Sequence, residues 1–465
     1  MLLKAARPTL LALAVVSAAV FAGRVSAASQ MPIGFYDDIS FRWSPDRQAN
    51  LDRAAAAGGS IIHTTASWPA IAPTKPADPS NGDDPAYHLN DIDELVANAT
   101  TRGMRVMIDI NGTPKWANGG AAPNRMPKNL ADLTTFARML ATRYNGHNGH
   151  GSVSLYSVWN EPNLGLFLMP QFSGKTIVGP ANYGKLFKAA YAGIKAGNPL
   201  AKVAIGETSA RGRDKPLGGT SATVAPATFA RLLAKTPGLR FDAWAHHPYP
   251  TSPNLPPLQK VRYPNVTLST LPQFEQDLKK WYHRTVPIWI TEYGHETKPG
   301  EPHGVTNAVQ ASYAKQALQI AQKDPNVQMF IWFTFRDSSG NPWQSGLESP
   351  SGAPKPSYSA FGSLARSIDG QIQSIRAGAS PAVKLYFPLL YLYQGPGGTI
   401  GMTYTVSNKN RVIATQQPVA TFLGDESVTV PLAFKAVKGQ VYTVHVVANE
   451  VNGHTEVETA TLVAS

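Results

Sequence analysis

A chain of 465 residues, 43% hydrophobic and 15% charged, is long enough to bury more than one core and reads as two folded units behind a short leader. Its 42 basic residues exceed its 30 acidic ones, but no Lys/Arg run or nucleic-acid motif gathers the excess. No nucleic-acid partner is therefore expected; the charge reads as scattered, with an anionic polysaccharide as the minor alternative. The absence of cysteine excludes disulfides and a lipid anchor through cysteine.

Residues 1–27 read as a secretory signal peptide. Lys4 and Arg7 precede an apolar run from Leu10 to Phe21, and Val25 and Ala27 suit cleavage after Ala27. That run is too short for a comfortable membrane span, and nothing later reaches one. The protein is thus expected to be secreted and extracellular, and the lack of cysteine suits a bacterial source. Sequons beginning at Asn98, Asn111 and Asn265 are read as chance, and a monomer is expected.

PIGFYDDISF is the first strand, ending near Asp37 and Asp38. Ser44, as cap, then opens a helix with Pro45 and Asp46, and Gly58-Gly59 stops it. SIIHTTASW, the second strand, leads to Trp68 and to a Pro/Asp/Gly-rich loop from Ala72 to Pro85. Asn90 caps the next helix, and MRVMIDI, the third strand, leads to Asn111, Pro114 and Trp116. KNLADLTTFARMLATRY is an amphipathic helix, with Leu130, Leu133, Phe136 and Leu140 at three- and four-residue spacing. The fourth strand starts at Val153 and stops abruptly at Asn160, Glu161 and Pro162. AKVAIGE, FDAWAHHPY, VPIWITEYG and VQMFIWFTF are strands five to eight, each followed by a helical stretch, and the seventh delivers Glu292.

Eight strand–helix alternations between residues 32 and 368 predict an α/β fold, a (β/α)8 TIM barrel with insertions. An open doubly wound sheet would want a Gly-rich phosphate turn after an early strand, and none is present. Residues 369–381 read as a linker. Residues 382–465 carry short alternating strands, such as Tyr442, Val444, Val446 and Ala448 on one face, and predict a small β-sandwich of immunoglobulin or fibronectin-III type. A spacer or packing role suits that module better than sugar binding.

Two glutamates delivered by separate strand ends are the minimum equipment for hydrolysing a glycosidic bond. WNEPN at 159–163, WITEYG at 289–294, HPY at 247–249, SWPAIAP around Trp68 and Trp332 on the eighth strand together resemble the clan A glycoside hydrolases. Glycoside hydrolase family 39 is the most similar and family 5 the next, over residues from about 32 to 368. The resemblance implies a retaining enzyme with Glu161 as acid/base, its pKa raised partly by Glu292, and Glu292 as nucleophile. It implies that Asn160 binds a sugar 2-hydroxyl and that Tyr249 donates to Glu292. It places His247 with the substrate-facing residues and offers Trp332, Trp68 and Trp116 as flat faces for sugar C–H groups, the hydrophobic core being the competing place for each. Many clan members carry an arginine on strand two that braces the nucleophile; here that position is His63, so an altered pH profile or a different brace is expected.

Rival acids are Glu207 and Asp337, as possible substrate contacts, Asp109, and Glu296 as a rim charge. His246 and His247, as strand neighbours, point to opposite faces and form no metal grip, so no metal and no cofactor is expected. The reading is a secreted retaining glycosidase for a polysaccharide or oligosaccharide, with a lean towards internal cleavage. The alternatives are a non-catalytic carbohydrate-binding barrel, which has no need of a paired acid and nucleophile, and a transglycosylase using the same residues.

Overall fold

The computed structural model describes residues 31–451 and 453–465, and the leader read in residues 1–27 lies outside them. The eight barrel strands are β1 (Ile33–Tyr36), β2 (Ile61–Ser67), β3 (Arg105–Asn111), β4 (Leu155–Val158), β5 (Lys202–Ser209), β6 (Ala243–His247), β7 (Ile288–Tyr293) and β8 (Val327–Phe333). The helices that follow them are α1 (Arg47–Ala56), α2 (Asn90–Thr100), α3 (Leu130–Arg143), α4 (Gly179–Gly197), α5 (Pro226–Leu233), α6 (Leu271–Tyr282), α7 (Asn307–Lys323) and α8 (Pro356–Ile368). All strands pair in parallel in chain order, and β1 closes on β8, giving the (β/α)8 barrel. Ser44 does not cap α1: its hydroxyl accepts from the Asp46 amide in a turn that precedes the helix.

The period-two pleat sorts each strand's side chains into two sets. Ile61, Met107, Leu155, Ala204, Trp289 and Met329 fill the barrel's interior as one apolar layer. Their neighbours in sequence, such as Ile62, Val106, Tyr156, Val203 and Phe330, turn outward into the larger core under the helices. One pleat further along, the inward positions become polar: His63 on β2, Asp109 on β3, Ser157 on β4, His247 on β6 and Thr291 on β7 are all buried. The barrel is therefore plugged with hydrocarbon at its N-terminal end and lined with titratable groups towards the C-terminal ends of its strands.

The last part of the chain holds β9 (Ile372–Ile375), β10 (Ala382–Tyr386), β11 (Thr399–Asn408), β12 (Arg411–Gln416), β13 (Val419–Thr421), β14 (Ser427–Pro431), β15 (Val441–Val451) and β16 (His454–Ala464). The main sheet runs β9-β16-β15-β11-β12, with β13 on β11, and a separate pair joins β10 to β14. This β-rich unit corrects two expectations. The linker at 369–381 contains a strand, because β9 finds ladder partners on the free edge of β16. The second layer is the β10–β14 pair with a short helix, Pro388–Gln394, rather than the second sheet of an immunoglobulin sandwich. Tyr442, Val444, Val446 and Ala448 do share the buried face.

This unit docks on the N-terminal end of the barrel. Arg105, the first residue of β3, donates to Glu426 Oε2 at 2.7 Å and lies over the Tyr386 ring. Ser154, just before β4, donates to the other oxygen of Glu426. The first of the described residues lies here too, the Met31 amide donating to the Ile368 carbonyl, while the Ser465 amide donates to that of Ile375 within the β-rich unit.

Candidate active site

Backbone strain marks the place where strand ends become a site. Trp159 and Glu161 leave β4 with φ of 74° and 38°, and Glu207 on β5 has φ of 43°. Non-glycine residues rarely adopt such angles, which cluster where the surroundings over-determine them. The β5 ladder also slips between Ile205 and Thr208. Gly206 makes that slip possible: with φ of 108°, a Cβ there would lie 2.7 Å from the Trp244 ring and 2.8 Å from the Ala245 carbonyl. The slip turns Glu207 inward, and its carbonyl accepts the Glu161 amide at 2.9 Å.

Three carboxylates then converge on one imidazole. His247 Nδ1 lies 3.2 Å from Glu161 Oε1 and 3.6 Å from Glu292 Oε2, while Nε2 lies 2.7 Å from Glu207 Oε2. Tyr249 donates to Glu292 Oε2 at 3.0 Å, and Thr291 donates to Glu207 Oε2 at 2.8 Å. The Glu161 and Glu292 side chains are 16% and 11% exposed and can be reached from the barrel mouth, whereas Glu207 is 1% exposed and cannot.

The charges follow from this packing. Burial disfavours a charged His247, but Glu292, Glu161 and Glu207 outweigh it and raise its pKa well above 6.5. Burial alone would raise Glu207, yet the hydrogen bond and charge of His247 bring it below the ordinary value. Burial pushes Glu292 up to about 7; Glu161 and Glu207 add to this, and His247 and Tyr249 oppose it. Asp109 is raised well above 3.8 by its burial and by the nearby Glu207.

Five of the residues singled out in the sequence meet here: Glu161, Glu292, His247, Tyr249 and the rival acid Glu207. Asn160, half-buried, sits beside Glu161. His63 lies below the group: its Nδ1 is 3.2 Å from the Thr291 carbonyl, and burial lowers its pKa, so it is a neutral ring that does not touch the Glu292 carboxylate. Two tryptophans belong to the core instead. Trp332 is on the outward face of β8, fully buried against Phe361, with its N–H bonded to the Ser345 carbonyl. Trp68 is buried, stacked on Phe136 of α3. Trp116 packs edge-on against Trp68 and donates to the Ala72 carbonyl, leaving it partly exposed.

Three rival acids are also accounted for. Asp337 is buried in an ion pair with Lys355 and accepts the Gly346 amide, so it serves the loop after β8. Glu296 is buried rather than on the rim. Glu207 faces the site but lies beneath it. The aromatic surface that the sequence reading missed is built by Phe333, Trp343 and Tyr36. Phe333 is the inward neighbour of Trp332, which strict alternation along β8 would have found. Trp343 stacks on Tyr249 at 5.2 Å from a loop that carries no periodic signal. Tyr36, the last residue of β1, lies 4.4 Å from the His63 ring and 5.1 Å from that of Phe333.

The family model of the cellulases, glycosyl hydrolase family 5, matches residues 27–336. No curated protein matches the chain. Among solved structures, the chain is similar in fold to a family 39 glycoside hydrolase from Bacteroides cellulosilyticus WH2, at 18% identity and TM-score 0.54 over 86% of this chain and 81% of that one. A glucosidase from Croceicoccus marinus gives 12% identity and TM-score 0.54 over 92% and 97%. The GH5_18 protein of Streptomyces cattleya, solved with GlcNAc, gives 18% identity and TM-score 0.51 over 76% and 86%.

Proposed function

The chain belongs to the cellulase family, glycosyl hydrolase family 5, and on that premise we propose that it is a secreted retaining glycosidase that cuts a polysaccharide by double displacement between Glu161 and Glu292. The observation that carries this reading is the shared imidazole nitrogen. Lying 3.2 Å from one carboxylate oxygen and 3.6 Å from the other, it caps their separation at about 7 Å. A retaining pair at ~5–5.5 Å fits under that cap, and most of the ~6.5–9.5 Å range of an inverting pair does not.

In the first half-reaction a Glu292 oxygen bonds to the anomeric carbon as Glu161 gives its proton to the departing oxygen. In the second, Glu161 takes a proton from water, whose oxygen attacks that carbon and releases Glu292. Tyr249 holds one Glu292 oxygen and leaves the other free to attack. Asn160 is assigned to the sugar 2-hydroxyl, while Phe333 and Trp343 replace Trp332 as the aromatic surface. Incubation with a panel of activated 2-deoxy-2-fluoro glycosides, followed by peptide mapping, is expected to leave a sugar on Glu292. A sugar on another acid, or none across a broad panel, would sink the assignment.

Internal cleavage is supported by a groove of about 580 Å³ beside the ends of β1 and β2, lined by Asp38, Arg42, Trp43, Thr65, Ser67 and His88. Trp43 is 61% exposed, yet it is held in place by its N–H on Asp91 and by the Arg42 guanidinium over its ring. A fixed, exposed ring binds a sugar face at little entropic cost. Trp43→Ala is expected to raise KM about 5- to 10-fold on a long oligosaccharide, the value of one aromatic contact. It should leave an aryl monoglycoside and the melting temperature unchanged. Release of terminal monosaccharide alone would rule out internal cleavage.

A further inference from the structure

We propose that Glu207 is a positioning residue, whose carboxylate keeps His247 as the imidazolium that sits between Glu161 and Glu292. The inference rests on the reading of those two glutamates as the reacting pair, but its central claim concerns the charge on His247 and is measured separately.

Glu207 is out of reach of any substrate, so whatever it does passes through its neighbours. Its Oε2 accepts from both His247 Nε2 and Thr291, which fixes the proton on Nε2. Nδ1 then faces Glu161 and Glu292. A bare nitrogen there would set its lone pair against the nearby oxygens, whereas an N–H donates to Glu161 and brings its charge within 3.6 Å of Glu292. The groups around the ring are Asp109 from β3, Glu161 after β4, Glu207 from β5, Tyr249 after β6, and Glu292 from β7. His63 on β2 lies lower, at the Thr291 carbonyl. Three carboxyl groups, those of Glu161, Glu207 and Glu292, therefore face the one ring.

A cation is needed here because the residue placed to supply one elsewhere does not. The strand-two position where arginine would brace the nucleophile is His63, which burial leaves neutral. His247 thus carries the positive charge of the site, and Glu207 is what pays for burying it. The main-chain carbonyl of Glu207 also fixes the Glu161 amide at 2.9 Å, so one strained residue sets both the acid/base and its counter-charge.

The test is Glu207→Gln in the full-length protein. The amide keeps an acceptor for Thr291 but removes the charge behind Nε2. The expected result is a fall in kcat of at least ~10-fold with KM little changed, because an orienting carboxylate behind histidine acts on the reacting state. The His247 imidazole, followed by nitrogen-15 NMR, should titrate at least about one pH unit lower than in the parent. Glu207→Asp, which keeps the charge, should restore part of both, and this variant carries the test if the glutamine form does not fold. In a His247→Gln background, adding Glu207→Gln should cost nothing further. An unmoved His247 titration, an unchanged kcat, or an undiminished loss in the His247→Gln background would each overturn the proposal. A shifted titration in a protein whose sugar adduct lies on an acid other than Glu292 would leave the charge relation standing and retire the reading of the pair.

Discussion

Glu292→Gln is expected to lower kcat by about 10⁴-fold or more, the scale at which loss of a nucleophile stops an enzyme that works through a covalent intermediate. The amide fills the same space and still accepts from Tyr249, so the loss tracks the missing nucleophilic oxygen and not a collapsed site. Stability should move the other way. A group whose pKa rises from 4.5 to about 7 on folding contributes stability below 4.5 that is lost as the pH climbs through 7. Glutamine carries no such dependence, so at pH 8 the variant should melt no lower than the parent. Glu161→Gln is expected to cost about 10²–10⁴-fold on a glycoside with a poor leaving group and far less on an activated aryl glycoside, which needs no proton to depart. If the two variants lose activity equally on both substrates, the division of labour between the glutamates is wrong. Steady-state kinetics on a matched substrate pair decides it.

Glu426→Ala is expected to destabilise the fold by about 3–5 kcal/mol, because it strands the Arg105 guanidinium in a buried interface. The two side chains are 12% and 5% exposed, and Glu426 also accepts from Ser154 on the barrel. Replacing both partners, Arg105→Met with Glu426→Leu, should recover most of the loss, since neither charge is then left alone. Denaturant unfolding of the single and double variants checks this. A single variant as stable as the parent would mean that the pair is solvated in solution. The same interface should respond to pH. Asp369 is buried beside the dock, and burial raises its pKa from 3.8 to about 7. Its contribution is therefore full below about pH 4 and gone above about pH 7, so unfolding should become easier across that window.

The barrel was legible in the sequence because every strand ends where its composition changes. VSLYSVW is apolar up to Asn160 and Glu161, and VPIWIT up to Glu292, and a parallel barrel gathers such ends at one face. What was not legible turned on single-residue register. Trp332 drew notice by its identity, but the pleat sends it outward and Phe333 inward. Glu207 reads as an ordinary strand-end acid until Gly206 adopts a positive φ and slips the ladder, a conformation that one sequence does not announce. The strand at 372–375 was hidden for another reason: its partner, β16, lies about ninety residues further along, and nothing local betrays that pairing.

The dock between the barrel and the β-rich unit also sets which way the molecule points. Arg105 and Ser154 stand at the starts of strands, so the β-rich unit grips the base, while Glu161 and Glu292 open at the opposite pole. The Met31 hydrogen bond to Ile368 brings the first of the described residues to that same base. An enzyme tethered there to a bead, a cell wall or a fused protein would hold its mouth outward, towards polymer arriving from solution. It would be poorly placed to graze the support on which it stands.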